Sequence, residues 1–453
     1  MPVFHPERSR RDPALEAVRD QLTRCNRCGF CQAACPVYHV TGREAATARG
    51  HNEHVRRVLD GELSLDGHME PAFAQCLLCR ACTAHCFPAL PTDRVVTAAR
   101  AAFNRHRAGA AVEERAMRAT LSNRGTMSRL VRLAYFGKRA GALRAVRLLR
   151  WLPWLPKGLT EVEAMMPAPP RTFLRQRVEK LRVPVSGPRG TVTYFVGCGM
   201  NFGFPDAAED SLRLLADCGY GVRVADNICC GLPAYTHGHL DLARDLARRN
   251  LAALAPLRNA AKPHQAALAG AEVVVSDCAS CSSFLKHYAE LLGGEPQADE
   301  AAELARRVRD LCEVIAPEML AGARREGAVT YHQPCHLGRY QGLAARPQEL
   351  LKAIGGPEFR LLPEADWCCG AAGTYVITQY EMSMRVLARK MGNVATSGAE
   401  TLVTSCPACL AQVSYGARRH RVDVRVRHLS QVLREALEKR SPAAADRSGL
   451  VTC

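Results

Sequence analysis

The chain has 453 residues, more than one ordinary domain needs and enough for two to four. Hydrophobic residues make up 47% and charged residues 23%; no uncharged apolar run reaches the roughly 18 residues of a membrane span, and the N-terminal MPVFHPERSRRDP lacks the apolar stretch of a secretory signal. The net charge of +17 is concentrated in residues 101–160, where thirteen Arg or Lys face two Glu, with no nucleic-acid-binding module around them. Transmembrane, secreted and nucleic-acid-binding classes are set aside, and a cytoplasmic protein is expected.

In a reducing compartment, closely spaced cysteines serve metals or redox chemistry more often than structural disulfides. Of 21 cysteines, eighteen fall into four spaced sets; Cys218, Cys312 and Cys453 stand outside and read as bystanders.

Residues 1–105 read as one unit. Cys25-x-x-Cys28-x-x-Cys31-x-x-x-Cys35-Pro36 is followed by Cys76-x-x-Cys79-x-x-Cys82-x-x-x-Cys86, with helices expected over Ala46–Leu59 and Asp93–Arg107. Three thiolates at i, i+3 and i+6 can wrap one corner of a cubane, while a fourth crosses to the other cluster. The expected sets are Cys25, Cys28, Cys31 and Cys86 for one [4Fe–4S] cluster, and Cys76, Cys79, Cys82 and Cys35 for a second. Structural zinc is the alternative, but zinc sites need only four ligands in two pairs. The second run departs in one respect, with Phe87 before Pro88 where the first has Pro36 directly after its last cysteine.

Residues 106–187 form a basic helical segment ending in the Pro-rich "MPAPPRTF" and "VPVSGPRG", expected to be a linker. Within it, "GALRAVRLLRWLPWLP" puts Arg144, Arg147 and Arg150 on one helical arc and Ala142, Val146, Leu149 and Leu152 opposite, with Trp151 and Trp154 near its end. Such a helix suits an anionic membrane surface or, alternatively, packs on its own protein or a partner.

A duplicated module follows, at 188–296 and 329–438, with a connecting helix at 297–328 and a tail at 439–453. "GTVTYFVGCG" matches "GAVTYHQPCH", "ICCGLPAY" matches "WCCGAAGT", and "AEVVVSDCASC" matches "AETLVTSCPAC". Copy one carries about eleven extra residues before its last strand, since 47 residues separate Cys230 from Cys278 and 36 separate Cys369 from Cys406. Strands alternating with helices imply mainly parallel sheets, with ligands gathering beyond the strands' carboxyl ends. The fold class expected is therefore multidomain, a helical ferredoxin-type domain followed by two tandem α/β modules.

Each module supplies five cysteines: Cys198, Cys229, Cys230, Cys278 and Cys281, then Cys335, Cys368, Cys369, Cys406 and Cys409. A disulfide between neighbours is disfavoured, because adjacent Cα atoms lie only about 3.8 Å apart, below the usual disulfide span. A redox dithiol at each Cys-x-x-Cys leaves three cysteines per module unexplained; a metal cluster explains all five. The glycine after each vicinal pair is expected to let backbone approach the cluster. His332 and His336 flank Cys335 where copy one has Phe195 and Gly199; they are candidates for hydrogen bonding or proton transfer, as are His237 and His239 more weakly, with ordinary packing the alternative. "GCGMNFG" has the wrong spacing for a dinucleotide loop.

These modules behind a two-cluster ferredoxin domain resemble the iron–sulfur subunits of glycolate oxidase. They are similar also to those of lactate utilisation, anaerobic glycerol-3-phosphate dehydrogenase and heterodisulfide reductase. The resemblance rests on "CNRCGFCQAACPVY", "ARG" at Ala48–Gly50, "CLLCRACTAHC", "CCGLPAYTHGHLDLARDLARRN", "YHQPCHLGRYQ" and "CCGAAGTY", and covers nearly the whole chain up to about Arg440. It implies an electron-transfer subunit with one further cluster, cubane or non-cubane, in each module. It also implies a separate FAD-binding subunit that oxidises glycolate or lactate, and a membrane or quinone acceptor. In glycolate oxidase subunits part of a pentad is often missing; both are whole here, which keeps open a heterodisulfide-reductase-like reaction at a module cluster.

Overall fold

The computed structural model describes residues 12–141, 161, 164–254 and 273–440. The basic amphipathic stretch after Gly141, the surplus residues of copy one and Cys453 lie outside these.

The N-terminal domain is helical, built around α1 (Ala48–Leu59) and α2 (Thr92–Asn104). On α1 the residues His51, Asn52, Val55, Val58 and Leu59 recur at helical spacing and are buried against the Val95, Val96, Ala99 and Phe103 face of α2. Gly50 lets α1 lie against the Glu44–Ala46 turn, where a Cβ would stand 2.4 Å from the Glu44 carbonyl oxygen. Helices α3 (Ala110–Leu121) and α4 (Arg124–Arg139) then pack as a hairpin.

The first module orders its sheet β2-β1-β3-β4, all parallel: β1 (Thr191–Tyr194), β2 (Gly221–Val224), β3 (Val273–Ser276) and β4 (Val308–Asp310). Its helices are α5 (Cys198–Gly203), α6 (Pro205–Asp217), α7 (Leu240–Leu254), α8 (Ala279–Leu291) and α9 (Ala298–Arg307). The segment 297–328, expected as a connecting helix, holds α9 and then β4, which completes this first sheet. The second module pairs β5 (Val329–Tyr331), β6 (Thr401–Thr404) and β7 (Arg425–His428) in parallel order, with α10 (Cys335–Gln341), α11 (Tyr380–Ser397), α12 (Pro407–His420) and α13 (Leu429–Glu438). A parallel bridge from Val329 to Phe359 occupies the place that β2 holds in the first sheet. Central strands are buried on both faces, as parallel sheets covered by helices require.

The modules share one hydrophobic core. They meet at their cysteine-bearing ends: the Ala279 N–H donates to Ser405 O at 3.0 Å, His428 Nε2 sits 2.9 Å from Asp277 O, and α6 packs on α13. The Pro-rich stretch expected as a linker is a docked strap. Phe173 and Leu174 are buried, the Phe173 ring meets Phe202 edge-on at 4.9 Å, and the Arg175 guanidinium donates to Ala225 O and Asn227 O.

Candidate metal centre

Each module delivers its five cysteines by the same local devices. Cys198 and Cys335 open the helices that follow β1 and β5, and Cys278 and Cys406 are the N-cap residues of α8 and α12. Cys281 and Cys409 follow one turn later, and Cys229–Cys230 and Cys368–Cys369 lie in loops immediately before Gly231 and Gly370. Those glycines adopt φ of +97° and +84°, and a Cβ on Gly370 would lie 2.7 Å from Ser383 O. Their use is thus a left-handed turn pressed against a helix, a reason independent of any approach to a cluster.

The thiols form one unbroken series. Cys198 is within hydrogen-bonding reach of Cys229, Cys229 of Cys230, Cys230 of Cys281 and Cys281 of Cys278. Cys278 then reaches across the module boundary to Cys406, which adjoins Cys409. Cys409 and Cys369 stand 3.3 Å apart, and Cys368 joins Cys369 to Cys335. Among the described residues no disulfide is formed. Eight of these ten cysteines are buried, with Cys198 and Cys335 the more open pair at the helix starts.

Crowding buried thiols has an electrostatic consequence. Hydrogen bonds from Cys229 and Cys281 draw Cys230 below the ordinary thiol range, and Cys369 and Cys406 are drawn down in the same way by their sulfur neighbours. Cys229, Cys278, Cys281 and Cys409 are pushed up, so a proton is held on these thiols rather than on their neighbours. Such a donor set suits soft metal and sulfide, which bind thiolate and release the remaining protons. The Gly370 N–H also points at Cys368 Sγ, at 3.4 Å.

In the N-terminal domain a cavity is lined by Cys35, Cys76, Cys79 and Cys82, the crosswise quartet expected from the spacing. Burial raises Cys35 to about 12 and Cys76 to about 11, and burial, then the charges of Cys79, Cys76 and Cys35, push Cys82 up. Cys25, Cys28 and Cys31 are near neighbours, since the first two raise the thiol of Cys31 after burial does. Cys86 is half-buried just beyond the short helix Ala81–Ala84, which packs on Phe30–Ala33.

This domain is docked on the modules through Arg339 and Tyr340, which lie in the quoted "YHQPCHLGRYQ" without being candidate site residues, and through Arg100. Tyr340 Oη donates to Leu78 O at 2.8 Å, the Arg80 guanidinium lies 3.9 Å over the Tyr340 ring, and Arg339 donates to Cys79 O at 3.2 Å. Arg100 donates to Cys76 O, Phe73 O and, across the boundary, Thr236 O. As a result the Cys79 thiol contacts that of Cys368 and extends the sulfur series out of the second module. Lys390, also unnoticed in sequence, is fully buried behind Cys368 and Cys369, donating to Ala365 O at 3.2 Å; burial lowers it to about 8. Its position on the buried Val386–Leu387–Met391–Val394 stripe of α11 was the available signal.

The candidate histidines divide. His332 is buried within 4.8 Å of the Cys369 and Cys409 sulfurs. His336 stacks on Tyr340 and pairs with Ser280 Oγ at 3.1 Å, while Ser280 also meets Cys406 Sγ at 3.3 Å. His237 and His239 instead engage Glu113 of α3, at 2.6 and 3.7 Å. Cys218 and Cys312 are buried apart from the series, in the core.

Comparisons with known proteins agree with this arrangement. The family described as "Cysteine-rich domain" matches residues 192–286 and 329–414, and "4Fe-4S dicluster domain" matches 21–89, which supports two [4Fe–4S] clusters in the N-terminal domain. The "Probable glycolate oxidase iron-sulfur subunit" of Bacillus subtilis (strain 168) is 30% identical over 430 residues, covering 92% of this chain and 94% of that one. The "Glycolate oxidase iron-sulfur subunit" of Escherichia coli (strain K12) is 28% identical over 94% of this chain and 96% of its own length. "Lactate utilization protein A" of Oceanobacillus iheyensis is 30% identical over 53% of this chain and 96% of its own length. With both cysteine-rich modules, the dicluster domain and end-to-end similarity in place, the chain belongs to the family of glycolate oxidase iron–sulfur subunits.

Proposed function

We propose that this chain is the electron-relay subunit of a flavin-dependent 2-hydroxyacid dehydrogenase, acting on glycolate or lactate through a separate FAD-binding subunit. The observation that carries the reading is the continuous sulfur series from Cys198 to Cys79, made of side chains from three structural units. Cys25, Cys28, Cys31 and Cys86 would hold one [4Fe–4S] cluster, and Cys35, Cys76, Cys79 and Cys82 a second. The pentads Cys198/Cys229/Cys230/Cys278/Cys281 and Cys335/Cys368/Cys369/Cys406/Cys409 would each hold a further iron–sulfur cluster. Such groups supply one-electron transfer at a potential set by local charge, hydrogen bonding and exposure. The protein's part is to fix the spacing, exclude water from the pentads and place Lys390 and Arg339 beside the second one. The first quartet is the surface end, with Cys28 exposed and Phe30 and Phe87 exposed next to its cysteines, which suits contact with a redox partner.

No helix of the described residues is long and apolar enough to cross a membrane. Peripheral contact with the inner face of a membrane, and so with a quinone-linked acceptor, is supported by α4. Its outward side carries Leu130, Leu133 and Phe136 exposed beside exposed Arg129 and Arg132, an apolar strip with basic flanks. Anaerobic co-purification with native partners, followed by mass spectrometry and electron paramagnetic resonance, tests the whole reading: a co-purifying flavoprotein and more than two cluster signals are expected.

A second reading is favoured by one observation, the meeting of Cys278 and Cys406 at the boundary between two complete pentads. There, a heterodisulfide-reductase-like subunit would reduce a disulfide. Turnover of a disulfide with an artificial reductant and no flavoprotein would select this reading over the first.

A further inference from the structure

We propose that His332 supplies a nitrogen ligand to the iron held by the second module, making its two cysteine-rich sites chemically different. The inference rests on the reading above that this module binds iron.

His332 directly follows β5, and its N–H donates to Val403 O at 2.9 Å, which locks the residue into the sheet. Its side chain is 1% exposed, yet neither ring nitrogen has a hydrogen-bond partner. Each of the other buried histidines has a polar neighbour on its ring: His51 Nε2 sits 3.0 Å from Ala72 O, His239 lies 3.7 Å from the Glu113 and Glu114 carboxylates, and both nitrogens of His428 are engaged, by Ser430 Oγ at 2.8 Å and Asp277 O at 2.9 Å. Burying an imidazole with nothing to bind is unfavourable, so an unsatisfied ring in a well-packed sheet calls for a partner outside the protein's own groups.

The position of the ring says what that partner is. Its donor nitrogen and the sulfurs of Cys369 and Cys409 all lie within 4.8 Å of one another, the spread of three ligands around one metal ion.

The first module cannot do the same. The matching residue is Phe195, fully buried, so its site is built from sulfur alone. The second module thus offers a nitrogen donor that the first lacks, while both keep five cysteines.

The test uses the full-length protein purified anaerobically with 15N-labelled histidine. Pulsed electron paramagnetic resonance should show a histidine nitrogen coupling of directly bonded strength. That coupling should persist in His336→Gln and vanish in His332→Phe, which copies the residue of the first module. Iron-replete protein with only the weak couplings of hydrogen-bonded nitrogens would overturn the assignment while leaving the cluster reading intact. If Cys369→Ala/Cys409→Ala loses no iron relative to the unsubstituted protein, the second module holds none and both fall.

Discussion

The Cys79 thiol of the N-terminal domain lies against the Cys368 thiol of the second module, 289 positions apart in the chain. One belongs to a ferredoxin-type quartet and the other to a vicinal pair, so the two sets proposed to bind metal meet side chain to side chain. The contact is held from both sides by Arg339, which donates to Cys79 O, and Tyr375, whose Oη donates to Gln75 O at 2.9 Å. This proximity predicts magnetic interaction between the two centres. Splitting or broadening of their paramagnetic signals at full reduction should disappear in Cys368→Ala; sharp, independent signals in the unsubstituted protein would show the sets to be uncoupled.

Lys390 places a buried positive charge beside Cys368 and Cys369. Reduction adds negative charge to a cluster, and a fixed cation favours it. Lys390→Met, close in length and apolar, should lower the reduction potential of the second module and leave the N-terminal signals unmoved. A redox titration monitored by paramagnetic resonance reads both; an unchanged or raised potential would contradict the placement.

Arg100 makes its hydrogen bonds to the carbonyls of Phe73, Ala74, Cys76 and Thr236 and so ties α2, the second cysteine run and the first module together. Arg100→Met leaves these carbonyls short of a charged donor, at a cost of about 3 kcal/mol. The expected outcome is a lower thermal midpoint with earlier loss of the N-terminal clusters' visible absorbance. Stability equal to the unsubstituted protein would refute the role.

Asp310, fully buried at the end of β4, accepts from Ser282 Oγ at 2.8 Å and the Cys312 N–H at 3.2 Å, and burial raises it to about 7. The folded state thus holds its proton more tightly than the unfolded chain. Stability from this group is full below the ordinary carboxyl range and declines as pH rises through about 7, at up to ~1.4 kcal/mol per pH unit. Asp310→Asn should flatten the dependence of unfolding on pH between about 4 and 7.

The cysteine spacing made the thiol sets legible, because ligand chemistry is local: three residues per step around one corner, and the fourth supplied by the other run. Strands ending at Cys198, Cys278, Cys335 and Cys406 were legible for the same reason, as apolar runs that stop where the site begins. The meeting of Cys278 with Cys406 was not, since periodicity gives each module a buried face without saying which faces pair. β4 escaped because Val308-Arg309-Asp310 is too short to show an alternation, and it directly follows a strongly amphipathic helix. The strap at Phe173 and Leu174 escaped because proline-rich composition reports backbone restriction, and two buried apolar residues suffice to dock it.

The outward strip of α4 predicts binding to anionic vesicles at low salt, weakened at high salt as the arginines are screened. Leu133→Glu/Phe136→Glu should abolish flotation while leaving cluster content unchanged. Equal flotation of the variant, or none by the unsubstituted protein, would remove α4 as a membrane contact.

The central claim is that the buried pentads, as well as the N-terminal quartets, grip iron and sulfide. Quantifying iron, zinc and acid-labile sulfide per chain in anaerobically purified protein tests it most directly. We predict more iron than two [4Fe–4S] clusters account for, with matching sulfide. Zinc without sulfide, or iron no greater than the N-terminal pair requires, would contradict it.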